Sequence, residues 1–186
     1  MTKPPISSVI FDCDGVMFDS RQANTNFYNH LLGHFGLPPM TEAQEGFVHM
    51  HTADDSVRHI FEGTPHTEAA QEYRMSLDYT PFIHDMVMEP GLKDLLGDLK
   101  RTMRLAVATN RSNTLATVLN VFELKDYLDM VVSSLDVARP KPHPESIHKI
   151  LECFNIQPGQ AIYVGDSLVD LQTADASGVH FVGYRN

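Results

Sequence analysis

The segment VIFDCDGVMFDS, residues 9–20, joins an apolar run to a group of carboxylates. Short continuous apolar runs are typical of strands that are buried on both faces of a parallel sheet. Asp12 and Asp14 follow this run directly, and residues two apart in an extended segment face the same way. Because carboxylates at the end of a buried strand oppose folding unless they are compensated, the segment indicates a functional site as well as a strand.

The outer parts of the chain repeat this pattern of strand and helix. After the first strand, at residues 8–11, apolar runs predict four more strands, at 104–109, 129–134, 161–166 and 179–184. Amphipathic patterns between them predict helices at 91–101, at 112–124 with Ser112 as N-cap, and at 143–154. Such alternation predicts an α/β fold with a doubly wound, Rossmann-like sheet of five parallel strands.

Residues 20–88 have a different pattern. They contain helical stretches at 26–36, 42–63 and 67–79, without a strand-like run between them. We therefore expect a core formed by residues 1–19 and 89–186, with an inserted all-helical cap subdomain at 20–88. Ser20 is the expected N-cap of the first cap helix.

Composition limits the classes of partner. The chain has 186 residues and a net charge of −10, which argues against general binding to nucleic acid or to an anionic membrane. It has no apolar run of membrane-spanning length. Two cysteines, Cys13 and Cys153, are too few for a disulfide framework, so we expect a cytoplasmic protein.

Polar residues follow the predicted strands at their carboxyl ends, which is where ligands bind in doubly wound sheets. They are Asp12 and Asp14 after the first strand, Thr109 and Asn110 after the second, Lys141 in ARPKPHP (138–144) after the third, and Asp166 and Asp170 in GDSLVD (165–170) after the fourth. Together they predict one site.

The chemistry of these residues predicts a cation and a phosphate. Crowded carboxylates repel one another, and Mg²⁺ binds oxygen ligands from carboxylates and substrate phosphate. Lys141 can supply a fixed positive charge to a phosphate, and Thr109 can supply a hydroxyl donor. The backbone N–H at Gly15 can approach an anion because glycine permits the necessary turn.

Four motifs in this order resemble those of the haloacid dehalogenase-like hydrolase superfamily. They are DCDGV (12–16), Thr109, Lys141 and GDSLVD. The segments EPGLKDLLGDLK (89–100) and DLQTADASGV (170–179) resemble the branch that contains phosphoglycolate phosphatases and β-phosphoglucomutases. Members of this branch continue beyond the fifth strand with further helix, so we expect a less covered sheet and a monomer or weak dimer.

The resemblance implies a Mg²⁺-dependent phosphatase that hydrolyses a small phosphorylated metabolite through an aspartyl-phosphate. Asp12 would be the nucleophile, and Asp14 the proton donor and acceptor, with a raised pKa. The Asp12 side chain, the Asp14 carbonyl group and Asp166 would hold Mg²⁺, with Asp170 in support through water or a hydrogen bond. The phosphate-binding residues would be Thr109, Asn110 and Lys141, although Asn110 could instead form only a turn or a helix cap.

Three alternatives remain at this point. A sugar-phosphate mutase would use the same core. An assay that compares release of free phosphate with interconversion of phosphosugars distinguishes a phosphatase from a mutase. A non-enzymatic, receiver-like phospho-acceptor domain is also acidic and doubly wound, but it lacks the helical insertion. A true haloacid dehalogenase lacks the second aspartate of the first motif, so Asp14 argues against it.

Some polar residues near these motifs have simpler interpretations. Arg111 is interpreted as solvated, as are His49 and His51, which point away from each other on a helix. Cys13 is expected to face the core, because its neighbours Asp12 and Asp14 face the other way.

Overall fold

A five-stranded parallel sheet forms the centre of the protein, whose computed structural model describes residues 5–184. The strands in this part of the chain are β1 Ser8–Phe11, β2 Phe18–Asp19, β3 Val87–Met88, β4 Arg104–Ala108, β5 Met130–Val132, β6 Ala161–Gly165 and β7 His180–Gly183. The sheet has the order β5-β4-β1-β6-β7. This arrangement confirms the doubly wound α/β fold.

The register of the sheet aligns the carboxyl ends of its three central strands. Phe11 at the end of β1 pairs with Val107 of β4 on one side and with Val164 of β6 on the other. Residues that follow these three positions therefore emerge at one edge, which is the edge where ligands bind in such sheets.

Helices cover the sheet on both faces. Those of the core are α6 Leu92–Lys100, α7 Leu115–Val121, α8 Glu145–Phe154 and α9 Leu168–Ser177. The predicted N-cap at Ser112 is wrong, because α7 begins three residues later with Thr114 at the cap position. The Ser112 hydroxyl oxygen instead accepts from Arg74 Nη1 over 3.4 Å, and not from a helix N–H, while the hydroxyl donates to Asn113 Oδ1 over 3.1 Å.

Residues between β2 and β3 are helical. These helices, called the cap from here on, are α1 Arg21–His34, α2 Glu42–Met50, α3 Ala53–Ile60, α4 Thr67–Ser76 and α5 Thr80–Ile83. The single helix expected over 42–63 is two helices, since the Thr52 side chain accepts from the Asp55 N–H and starts α3 anew. Ser20 occupies the N-cap position of α1, but its side chain makes no capping bond.

Two short strands connect the cap to the core. β2 and β3 pair antiparallel, with Phe18 opposite Met88 and Asp19 opposite Val87. This pairing holds together the outgoing and returning chains of the insertion. The division into core and cap stays a prediction, and the ends of the predicted core, residues 1–4 and 185–186, lie outside the described residues.

Side chains of β1 alternate between two apolar clusters. Val9 and Phe11 join a cluster that continues through Phe18 into the cap, where it includes Phe27 and Phe61. This cluster is continuous from the sheet into the cap and joins the two by apolar contact.

The second apolar cluster lies on the opposite face of the sheet. It contains Ile10 from β1 and Tyr163 from β6, packed against Ile147 and Ile150 of α8. Cys13 is fully buried, as expected.

The outer edge of the sheet is exposed. Val182 of the edge strand β7 has 47% of its surface accessible, and self-association through this edge stays a prediction. Within residues 5–184, no helix combines the length and the apolar character needed to cross a membrane.

Candidate active site

Lys141 lies at the centre of the carboxyl edge of the sheet. Its ammonium nitrogen is 2.9 Å from Asp12 Oδ1 and 2.6 Å from Asp170 Oδ1. It also donates to the Tyr163 hydroxyl over 2.8 Å. The lysine is only 6% exposed, so the sheet places a buried cation between two buried carboxylates.

Asp170 uses both of its carboxylate oxygens within the protein. Oδ1 accepts from Lys141 and from the Tyr163 hydroxyl, the latter over 2.7 Å. Oδ2 accepts from the Ser167 hydroxyl over 2.6 Å and from the N–H groups of Asp166 and Ser167. Ser167 is the N-cap of α9 and receives the Asp170 N–H in return, which forms a capping box. Asp170 is therefore held rigidly beneath the site.

The buried charges shift one another's pKa values. Burial raises the pKa of Asp12 from 3.8 to about 7; Lys141 opposes this rise, while Asp170 and Asp14 add to it. Burial would lower the pKa of Lys141, but the charges of Asp12, Tyr163 and Asp170 outweigh burial and raise it well above its usual range. Lys141 therefore stays a cation, and Asp12 needs additional positive charge to be fully ionised at neutral pH.

Asp14 is bound by Arg111 in a bidentate ion pair. Arg111 Nη2 lies 2.5 Å from Asp14 Oδ1, and Nε lies 3.0 Å from Oδ2. Arg111 is 8% exposed, and its guanidinium carbon lies 5.1 Å from the centre of the Tyr79 ring. The interpretation of Arg111 as a solvated residue is wrong, because Asp14 and the Tyr79 face of the cap enclose it.

The same ion pair corrects the expected pKa of Asp14. Burial favours the protonated form, but the charge and hydrogen bonds of Arg111 and the hydroxyl of Ser20 outweigh burial and lower the pKa. In this conformation Asp14 is an ionised carboxylate, whereas the sequence-based expectation was a raised pKa.

Asn110 binds the backbone of Lys141 from both sides. The Lys141 N–H donates to Asn110 Oδ1 over 3.0 Å, and Asn110 Nδ2 donates to the Lys141 carbonyl over 3.1 Å. Nearby, the Thr109 hydroxyl oxygen accepts from the Arg111 N–H over 3.1 Å, so Thr109 is buried at the same loop. Direct contact of Thr109 and Asn110 with a phosphate remains a prediction.

Gly15 lies against Asp166. Its φ of +81° is accessible mainly to glycine, and a Cβ there would lie 2.0 Å from Asp166 Oδ2. The Gly15 N–H donates to the Phe18 carbonyl over 2.8 Å. Its expected contact with a phosphate remains a prediction, and the structure gives this N–H a partner inside the turn.

The carboxylates suit a divalent cation. Asp12, Asp166 and Asp170 each place an oxygen within 4.8 Å of the others. Burial and the charge of Asp170 raise the pKa of Asp166. Asp12 Oδ1 is buried with the Lys141 ammonium 2.9 Å away, but within residues 5–184 it accepts no hydrogen bond of regular geometry. An all-oxygen donor set with too little compensating positive charge fits Mg²⁺.

Cap residues form the roof of a cleft over these carboxylates. The cavity has a volume of about 70 Å³ and includes Tyr28, His49, Arg74 and Tyr79 from the cap. His49 is half-buried in the cleft and its Nδ1 has no hydrogen-bond partner among the described residues, so its interpretation as solvated is wrong. His51, also half-buried, stacks on Phe47 with ring centres 3.8 Å apart.

Sequence reasoning assigned no role in this site to three residues, of which Arg111 was interpreted as solvated. Tyr163 is central to the Lys141 network, Arg111 pairs with Asp14, and Arg74 lines the roof. Signals existed for two of them. Tyr163 alternates with Ile162 and Val164 along its strand, and Arg74 lies one helical turn after Ala70, on the buried side of α4.

The fold and the site together match a known family. The model of the family "Haloacid dehalogenase-like hydrolase" matches residues 9–184. The chain belongs to this family, and it is therefore an enzyme of the hydrolase class.

Curated relatives and solved structures agree with this assignment. A phosphoglycolate phosphatase of Nitrosospira multiformis is 31% identical over 95% of this chain and 82% of its own length. A crystal structure of a subfamily IA hydrolase from Geobacter sulfurreducens is 39% identical, covers 97% of this chain and 90% of that chain, and has a TM-score of 0.85. The β-phosphoglucomutase of Clostridium difficile has a TM-score of 0.83 at 21% identity, over 97% of this chain and 85% of that chain, which shows the shared fold.

Proposed function

We propose that the protein is a Mg²⁺-dependent phosphatase that hydrolyses a small phosphomonoester through a phosphate ester of Asp12. The observation that carries this proposal is the buried Asp12 carboxylate, held 2.9 Å from the Lys141 ammonium beside Asp166. Relatives named phosphoglycolate phosphatase support a phosphomonoester as the substrate, and the cavity of about 70 Å³ supports a small one.

In the first step, an Asp12 oxygen attacks phosphorus and the bond from phosphorus to the ester oxygen breaks. Lys141 keeps its positive charge and stabilises the negative charge of the transferring group. Thr109 lies on the adjacent loop and supplies a hydroxyl group for a phosphoryl oxygen. The alkoxide leaves with a proton from Asp14.

In the second step, a water molecule attacks the phosphoryl group and Asp12 leaves as a carboxylate. Asp14 accepts the proton of this water, which returns it to the protonated state for the next cycle. Because Arg111 holds Asp14 ionised in the structure, Asp14 must leave this ion pair to carry a proton. We infer that the ion pair is the resting arrangement and that Asp14 turns toward the substrate during turnover.

Mg²⁺ would be held by Asp12 and Asp166, with the Asp14 carbonyl group as a further oxygen ligand, and would neutralise negative charge on the phosphate. Asp170 has both oxygens engaged, so we assign it to holding Lys141 and the start of α9. This division of roles leaves Asp12 with the positive charge that it needs to be ionised.

A panel of phosphorylated metabolites, assayed for free phosphate with and without Mg²⁺, tests the proposal. We expect Mg²⁺-dependent release of phosphate from at least one short ester and from p-nitrophenyl phosphate, and no release by Asp12→Asn. Interconversion of phosphosugars without phosphate release would identify a mutase. Failure to turn over any ester would contradict both activities.

A further inference from the structure

Arg74 of the cap is a buried cation with no carboxylate partner among the residues that the structure describes. It is 7% exposed, and it lines the same cleft as Asp12. Its Nε donates to Gln71 Oε1 over 3.1 Å, and its Nη1 donates to the Ser112 hydroxyl over 3.4 Å. Between residues 5 and 184, no carboxylate lies within 4.0 Å of its guanidinium, and Nη2 donates no hydrogen bond.

Other cations near the cleft differ from Arg74 in this respect. Lys141 and Arg111 are equally buried, but each contacts a carboxylate. Arg58 of α3 is exposed and pairs with Asp54 over 2.8 Å. A guanidinium keeps its charge when buried, and a buried charge without a counter-ion opposes folding. Arg74 therefore has unused capacity for an anion.

The position of Arg74 relates this capacity to the leaving group. Ser112, which Arg74 contacts, is three residues beyond Thr109 and adjacent to Arg111. The guanidinium thus reaches the loop on which the phosphate contact is proposed, but it approaches from the cap and not from the sheet. Lys141 and the Mg²⁺ ligands already account for the transferring phosphate, so Arg74 faces the rest of the substrate.

We propose that Arg74 binds a second anionic group, a carboxylate or a second phosphate, on the leaving-group part of the substrate. This inference rests on the proposed phosphatase function and names its substrate class, which is a short phosphomonoester with an anionic group at each end. A bidentate contact from a guanidinium suits either oxyanion. In a protein of net charge −10, this fixed cation would also favour entry of an anionic ester.

Two esters of matched length test this inference. Phosphoglycolate carries a carboxylate, whereas ethyl phosphate has the same two-carbon skeleton without it. We expect the unaltered enzyme to prefer phosphoglycolate in kcat/KM, and Arg74→Met to reduce that preference about 10- to 100-fold, mainly through KM. Arg74→Lys should restore part of this preference. Arg58→Gln, a variant on the surface of the cap, should leave kcat/KM unchanged for both esters. A bisphosphate of the same carbon skeleton distinguishes a phosphate-binding from a carboxylate-binding Arg74.

The outcomes separate this inference from the proposed function. If the enzyme prefers no anionic ester, or if Arg74→Met reduces kcat/KM equally for both esters, Arg74 has only a structural role and the inference is wrong. The preference of the unaltered enzyme tests it even if Arg74→Met does not fold. If p-nitrophenyl phosphate is not hydrolysed with Mg²⁺ either, the proposed function itself fails.

Discussion

Arg111 and Asp14, 97 residues apart in the sequence, form a two-point ion pair inside the cleft, with nitrogen–oxygen distances of 2.5 and 3.0 Å. Arg111 follows β4 and Asp14 follows β1, so the pair connects the ends of two neighbouring strands. The Tyr79 ring of the cap also contacts Arg111. In this resting arrangement, the proposed proton-transfer residue is therefore held by a residue that also contacts the cap.

Removal of this ion pair should impair proton transfer more than phosphate binding. We expect Arg111→Met to reduce kcat for an alkyl phosphate about 10- to 100-fold, because Asp14 then loses the resting position from which it turns toward the leaving alkoxide. Hydrolysis of p-nitrophenyl phosphate, whose leaving group needs no proton, should fall much less. Steady-state kinetics with both esters measures the difference.

Arg101→Gln is the matched control for this experiment, because Arg101 is exposed at the end of α6, pairs with Asp98 and does not line the cleft. An equal loss with both esters would show that Arg111 acts on phosphate binding or on folding and not through Asp14.

The contact between Gly15 and Asp166 should not tolerate a side chain. Gly15→Ala places a Cβ 2.0 Å from a carboxylate oxygen, in addition to a strained φ of +81°. We expect the free energy of unfolding to fall by about 1–3 kcal/mol. We also expect Mg²⁺-dependent phosphate release to fall, because Asp166 must move. Chemical denaturation and phosphate release measure the two effects.

Gly63→Ala separates strain from collision. Gly63 has a similar φ of +77°, but a Cβ added there would have no atom of the described residues within 4 Å. It should lose stability by backbone strain alone and keep full activity. Equal activity of the two variants would contradict the assigned position of Asp166.

Asn110 should act through Lys141. Its side chain binds both the N–H and the carbonyl of Lys141, so Asn110→Ala should free the loop that carries the buried ammonium. We expect about 1–3 kcal/mol of destabilisation and a fall in kcat/KM for every ester tested. If activity falls while stability is unchanged, Asn110 contacts phosphate directly and its positioning role is wrong.

Mg²⁺ should stabilise the folded protein through Asp12 and Asp166. At a Mg²⁺ concentration about 100 times its dissociation constant, binding contributes about 2.7 kcal/mol. Thermal denaturation should therefore show a higher Tm with Mg²⁺, and Asp166→Asn should remove the increase. Asp175→Asn, which removes an exposed carboxylate on α9, should preserve the increase in Tm. If Mg²⁺ raises the Tm of Asp166→Asn as much as that of the unaltered protein, the cation binds elsewhere.

The sequence was sufficient to predict the sheet and its polar edge because both depend on local pattern. Apolar runs predict buried strands, and the register then brings the residues after Phe11 and Val164 to one edge, including Asp12 and Asp166. Asp12, Asp166 and Asp170, three of the four carboxylates expected at this edge, lie close together in the structure. This grouping follows from strand order and register without knowledge of any side-chain contact.

Long-range partnerships could not be predicted in the same way. Arg111 lies in a polar segment, RSN, and only the fold brings it to Asp14, which reverses the direction of the expected pKa shift. The burial of His49 and Arg74 depends likewise on how the cap packs over the sheet. Cap orientation is a tertiary property. The spacing of Ala70 and Arg74 indicates that they share one side of α4, but it does not show that this side faces the cleft.

The stereochemistry of phosphoryl transfer tests the central claim most directly. A phosphate ester made chiral with oxygen isotopes can be hydrolysed in isotopically labelled water and the configuration of the released phosphate determined. Two successive in-line displacements, first by Asp12 and then by water, predict overall retention of configuration. Inversion would show a single direct attack by water and would contradict Asp12 as the nucleophile.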